Sequence, residues 1–203
     1  MADKFHESRR QFLLGAGATA AASLGTLALP AGIQPARAEP VLTDDGYYRE
    51  TWFIDTFLEL PDDFEAARKD GKRLAIMWEL KGCPYCKETH FVNFARPDIS
   101  KFVQDHFEIL PLNILGSRKV KDFDGDELPE KLLAAKYGVK FTPTIQFFPE
   151  TLDGLKGMKP QDREVIRIPG YLRPDDFLDV FKFVEQKPNG AKTFREFLKT
   201  SRS

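Results

Sequence analysis

Leu74-Ala75-Ile76-Met77-Trp78-Glu79-Leu80-Lys81-Gly82-Cys83-Pro84-Tyr85-Cys86 joins a short apolar run to the only two cysteines in 203 residues. Bounded by Gly71 and Gly82, the run from Leu74 to Leu80 fits a buried strand feeding the cysteine motif. The motif then opens a helix expected to reach about Phe94, where Arg96-Pro97 breaks it. In a Cys-x-x-Cys at a helix start, the first thiol lies among unpaired amide N–H groups that favour thiolate over thiol. The second, one turn in, is placed to close the ring. This spacing suits thiol–disulfide exchange, in which Cys83 attacks a target disulfide, a mixed disulfide forms, and Cys86 displaces the reduced product.

A pair of cysteines this close also occurs in zinc and copper sites, but a structural zinc site needs about four ligands. The remaining candidates are His6, His90 and His106. His90 follows Cys86 by four residues on the same helix face and in principle extends the pair to Cys2His; the simpler expectation is a solvent-facing or half-buried helix residue. No metal site is therefore expected, and no cofactor beyond a Cys83/Cys86 disulfide.

Outward from the motif, Pro61-Asp62-Asp63 opens a helix that ends at Gly71, and Phe107 to Leu112 is a second strand after a short helix from Ile99 to Asp105 capped by Asp98. Strand, helix, strand at this spacing implies a parallel crossover. Asn113 to Asp126 is charged and turn-rich and reads as a loop. A helix from Leu128 to Tyr137 ends at Gly138. Phe141-Thr142-Pro143-Thr144 leads into an apolar strand, a turn spans Thr151 to Gln161, and Val165 to Ile168 is a strand able to pair antiparallel with the previous one. Pro174-Asp175-Asp176 begins a helix to about Gln186, and Thr193 to Lys199 is a last short one. Glu39 to Glu50 reads as a polar extended arm, followed by an aromatic segment, Thr51 to Leu60, that is a strand or a surface-packed stretch.

The first 38 residues read as an address. Ser8-Arg9-Arg10-Gln11-Phe12-Leu13-Leu14 sets adjacent arginines before a mildly apolar run, and Ala36-Arg37-Ala38 has the small-residue form of a cleavage site. This resembles a twin-arginine export signal; an uncleaved anchor is the alternative. The expected division is thus a leader, 1–38, an arm, 39–60, and a single domain, 61–203. The leader would take four of the 30 basic residues (Lys4, Arg9, Arg10, Arg37) and two of the 31 acidic ones (Asp3, Glu7), leaving 26 against 29, net −3. That balance offers no basic footprint for nucleic acid or anionic lipid. Export places the chain in a bacterial periplasm, which is oxidising, so a protein acting there as a reductant needs a membrane thiol donor to restore its dithiol.

The element order around Cys83-Pro84-Tyr85-Cys86, with Thr142-Pro143 after Tyr137-Gly138-Val139 and Gly170 after the final strand, resembles the thioredoxin superfamily over most of residues 61–186. The stretch from Trp78 to His90 with Phe141 to Pro149 looks most like exported thioredoxin-related proteins of the SoxW type, associated with bacterial sulfur oxidation. The resemblance implies an α/β thioredoxin fold, a central mixed sheet flanked by helices, here with an N-terminal arm and an extra C-terminal helix. It implies Cys83 and Cys86 as catalytic residues, Pro84 and Tyr85 as the motif dipeptide, and a cis Pro143 beside Cys83 with the Thr142 backbone pairing an extended substrate. The superfamily's buried aspartate is replaced by Met77; Glu79, on the same strand face, is either the proton acceptor for Cys86 or a strand-end carboxylate in water.

The reading that follows is a periplasmic thiol:disulfide oxidoreductase, a monomer that reduces disulfides in other exported proteins, with links to sulfur oxidation or cytochrome c maturation. A periplasmic disulfide oxidase or isomerase shares the same residues and differs in potential. A Cu(I) metallochaperone is the non-enzymatic alternative, weakened by the distance of Met158 and the presence of only Met77 close before the motif.

Overall fold

The computed structural model describes residues 39–186 and 193–201, so the leader expected over 1–38 lies outside the described residues. In chain order the elements are β1 (Val41–Leu42), β2 (Tyr48–Arg49), α1 (Leu60–Lys69), β3 (Arg73–Glu79), α2 (Pro84–Glu88), α3 (Pro97–His106) and β4 (Phe107–Asn113). They continue with β5 (Lys119–Lys121), β6 (Glu127–Pro129), α4 (Glu130–Lys136), β7 (Thr144–Phe147), β8 (Ile166–Pro169), α5 (Pro174–Glu185) and α6 (Phe194–Ser201). A π turn, Thr89–Asn93, continues α2.

The apolar run before the cysteines becomes the centre of the sheet. Strand order is β4-β3-β7-β8, with β3 parallel to β4, antiparallel to β7, and β7 antiparallel to β8. Six of the seven residues of β3 are buried, as a strand covered on both faces requires. Alternation sorts them: Ala75 and Met77 face a core that includes Phe94, Ile99, Val103, Phe177 and Phe181, whereas Leu74, Ile76 and Trp78 face one that includes Leu60, Phe64, Leu133 and Tyr137. The two faces are thus covered by α3 and α5 on one side and α1 and α4 on the other. This is the expected mixed sheet flanked by helices. The α6 helix adds Phe194, Phe197 and Leu198 to the first core, with Phe194 and Phe197 against Phe183.

Several local expectations change. Asn113 to Asp126 is not all loop, because Lys119–Lys121 pairs with Glu127–Pro129 as a hairpin. Its base is tied down by Glu130, whose fully buried carboxylate accepts the Asn113 and Arg118 N–H groups at 2.9 and 3.3 Å. Asp98 lies in the first turn of α3 rather than capping it and pairs with Arg96. The arm is neither polar throughout nor simply extended: β1 and β2 form a short hairpin, Tyr47, Glu50 and Phe53 are buried, and the Ile54 N–H donates to Ile109 O on the outer edge of β4. Burial of the Phe53 ring in the first core docks the arm and carries Glu50 inward with it. Among the described residues no helix is long and apolar enough to cross a membrane.

Candidate active site

The end of β3 delivers Glu79, and Gly82 then turns the chain at φ 73°, a left-handed conformation that glycine adopts without strain. Cys83 caps α2 in an extended conformation, with Pro84 at the first helical turn, where its missing N–H is no loss. The Cys86 N–H donates to Cys83 Sγ at 3.1 Å, and Cys83 Sγ also lies 3.4 Å from Thr142 O. The Thr142-Pro143 peptide, which the resemblance implied to be cis, is cis, and its Thr142 carbonyl is the group that meets the first cysteine. Both thiols are free; Cys83 is half-buried and Cys86 is 1% exposed. Burial pushes the Cys86 thiol far up, and the Glu79 carboxylate and Cys83 push it further. An accessible first sulfur and a buried second one held as a thiol are the asymmetry that a nucleophile and a resolving thiol require.

Around Cys83 the surface is aromatic. Tyr85 is exposed and stacks on Tyr171 at 6.2 Å, and Phe141, next to Thr142, is 65% exposed. Gly170 closes the loop from the other side by donating its N–H to Pro143 O at 2.7 Å.

Inside the site one alternative is removed and one expectation fails. Glu79 is not a strand-end carboxylate in water but fully buried, since the parity that buries Ala75 and Met77 extends to it. His90 is neither solvent-facing nor half-buried; it is 0% exposed, ringed by Tyr48, Phe53 and Phe94. Its Nε2 is 2.9 Å from Glu79 Oε1 and its Nδ1 is 3.0 Å from Glu50 Oε1. Burial by itself would lower the pKa of the imidazole, but the hydrogen bonds and charges of Glu50 and Glu79 outweigh it and raise it to about 9. A thiol pair therefore sits beside a buried Glu50–His90–Glu79 chain.

A family model described as a thioredoxin-like domain matches residues 60–185. The chain belongs to the thioredoxin-like family. No curated protein matches it. Among solved structures, a thioredoxin-fold protein from Helicobacter pylori is 23% identical, with 66% of this chain and 81% of that one covered and a TM-score of 0.45. A thioredoxin from Thermus thermophilus is 21% identical, covering 61% and 82%, at a TM-score of 0.46. The oxidised C-terminal domain of DsbD from Neisseria meningitidis is 18% identical, covering 68% and 99%, at 0.42. These are likenesses of fold.

In this thioredoxin-like domain, Cys83, Pro84, Tyr85, Cys86, Glu79, Thr142 and Pro143 come together at one end of the sheet, whereas His106 ends α3, Met158 lies between β7 and β8, and His6 falls outside the described residues. Glu50 and His90 were missed as members of the site. For His90 a signal existed, four residues after a cysteine on one helix face; for Glu50, on an arm whose docking depends on Phe53 and Ile54, none did. A family fold carrying a dithiol of this geometry supports thiol–disulfide chemistry in general.

Proposed function

We propose that the protein is a thiol:disulfide oxidoreductase in which Cys83 attacks the client disulfide and Cys86 resolves the intermediate. The observation that carries this is the asymmetry of the pair: Cys83 Sγ accepts the Cys86 N–H and borders the exposed Thr142–Phe141 loop, while Cys86 is buried and held as a thiol. In the forward direction Cys83 displaces one client sulfur as a thiolate. Cys86 then attacks Cys83 Sγ, the Cys83–client bond breaks, and two electrons have passed from the dithiol to the client. Thr142 is suited to pair its backbone with an extended client strand, and the aromatic surface of Tyr85, Phe141 and Tyr171 to hold apolar client side chains. Both imidazole nitrogens of His90 already face carboxylates, so the geometry favours redox use of the thiols over a Cys2His copper or zinc clamp.

The working place proposed is the periplasm, from the leader-like Arg9-Arg10 segment, and the working direction is reduction of disulfides in other exported proteins, with a membrane thiol donor restoring the dithiol. Clients in sulfur oxidation or cytochrome c maturation fit this role. The test joins two measurements. Cys86→Ser should trap mixed disulfides with clients where Cys83→Ser traps none, and the Cys83/Cys86 couple should have a potential near about −270 mV. Trapping by Cys83→Ser instead reverses the assignment, and a potential near about −120 mV makes the protein an oxidant.

A further inference from the structure

A buried carboxylate with no cation beside it takes up a proton and ceases to be a base. Glu79 is fully buried, and His90 Nε2 lies 2.9 Å from its Oε1. Both ring nitrogens of His90 face carboxylate oxygens, and an imidazole donates from both nitrogens only when protonated. The ring is turned inward by the π turn Thr89–Asn93, closed by the Phe94 N–H on Thr89 O at 3.0 Å; such turns concentrate at functional sites. With Glu79 Oε1 held by His90, its second oxygen, Oε2, is buried and has no nitrogen or oxygen donor among the described residues. Cys86 is the thiol that this carboxylate reaches: its charge and a side-chain hydrogen bond both push the thiol's pKa up.

We propose that Glu50 and His90 are positioning residues for the resolving step, holding Glu79 charged and oriented so that its second oxygen takes the proton of Cys86. The proposal rests on the oxidoreductase reading and gives the N-terminal arm a part in it. When the client is bound to Cys83, Cys86 S–H passes its proton to Glu79, and the Cys86 sulfur uses the freed electron pair to attack Cys83 Sγ. The Cys83–client S–S bond breaks, the client leaves as a thiolate that takes a proton from solvent, and protonated Glu79 returns its proton to water after the client departs. The titratable groups facing this unit are Cys83 and Cys86 from α2, Tyr48 from β2 against the His90 ring, and Tyr47 from the arm, which feels Glu79 together with Arg118 and Glu130.

The reduced full-length protein, mixed with an aromatic disulfide whose thiol product is coloured, should release two equivalents in sequence: one as Cys83 is modified, one as Cys86 resolves. Glu79→Gln should slow the second phase by about 100-fold relative to the first. His90→Gln should move the pH profile of the second phase to higher pH, losing roughly tenfold in rate per pH unit below its inflection. In nitrogen NMR, His90 should be doubly protonated at about pH 7, and Glu50→Gln should lower its titration. Second-phase profiles of His90→Gln and Glu50→Gln that superimpose on wild type overturn the proposal, as does a singly protonated His90 in the wild-type protein. If His90→Gln does not fold, the NMR titrations of wild type and Glu50→Gln decide alone. A wild-type protein that releases no second equivalent at any pH removes the oxidoreductase reading itself, and this proposal with it.

Discussion

The buried imidazolium should show itself in stability even where no disulfide is exchanged. His90 is raised to about 9 in the folded protein, against about 6.5 in an unfolded chain, so the folded state holds one extra proton between those values. The difference corresponds to about 3 kcal/mol, or a slope near 1.4 kcal/mol per pH unit. Because it is the folded pKa that is raised, this stabilisation is complete below about pH 6.5 and is lost as pH rises through about 9. Asp63, raised to about 6 by burial, is still titrating where that window opens and adds a small decline of the same sign at its acid end, complete by about pH 7. Cys86, pushed up by burial and by Glu79, would add a decline of the same sign at the alkaline end, so the measurement belongs in a Cys83→Ser/Cys86→Ser protein. Urea unfolding of that protein from about pH 6 to about pH 9.5 should show the midpoint falling by roughly 1.5 M, taking a slope of about 2 kcal/mol per M. Glu50→Gln in the same background should flatten the fall by removing one of the two carboxylates that hold the proton. A midpoint constant across the window, within the roughly 10–15% uncertainty of such data, would refute a charged His90.

Gly116→Ala should destabilise by about 2 to 3 kcal/mol, because a Cβ there would lie 1.9 Å from Glu130 Oε2 and displace the carboxylate that ties Asn113 and Arg118; an unchanged urea midpoint shows that Glu130 has room to move. Replacing Arg9 and Arg10 by lysine should hold the precursor in the cytoplasm, and its normal appearance in the periplasmic fraction would remove the twin-arginine route from the proposal.

The sequence by itself determined the sheet centre and the thiol pair, for reasons that are local. An apolar run bounded by glycines, ending two residues short of a Cys-x-x-Cys, admits few structures, and Pro61, Pro97 and Pro174 mark helix starts through their own backbone geometry. Alternation along β3 also put Glu79 on the face of Met77. Whether that face was wet or dry depended on what covers it, which no spacing within the strand encodes. Tertiary structure decided it. Phe53 docks the arm on the edge of β4, the π turn aims His90 inward, and Glu50 and Glu79 then meet the same imidazole from positions 40 residues before and 11 residues before it. A charged group can remain in a core only where its partners close around it, and those partners come from segments that share no local pattern.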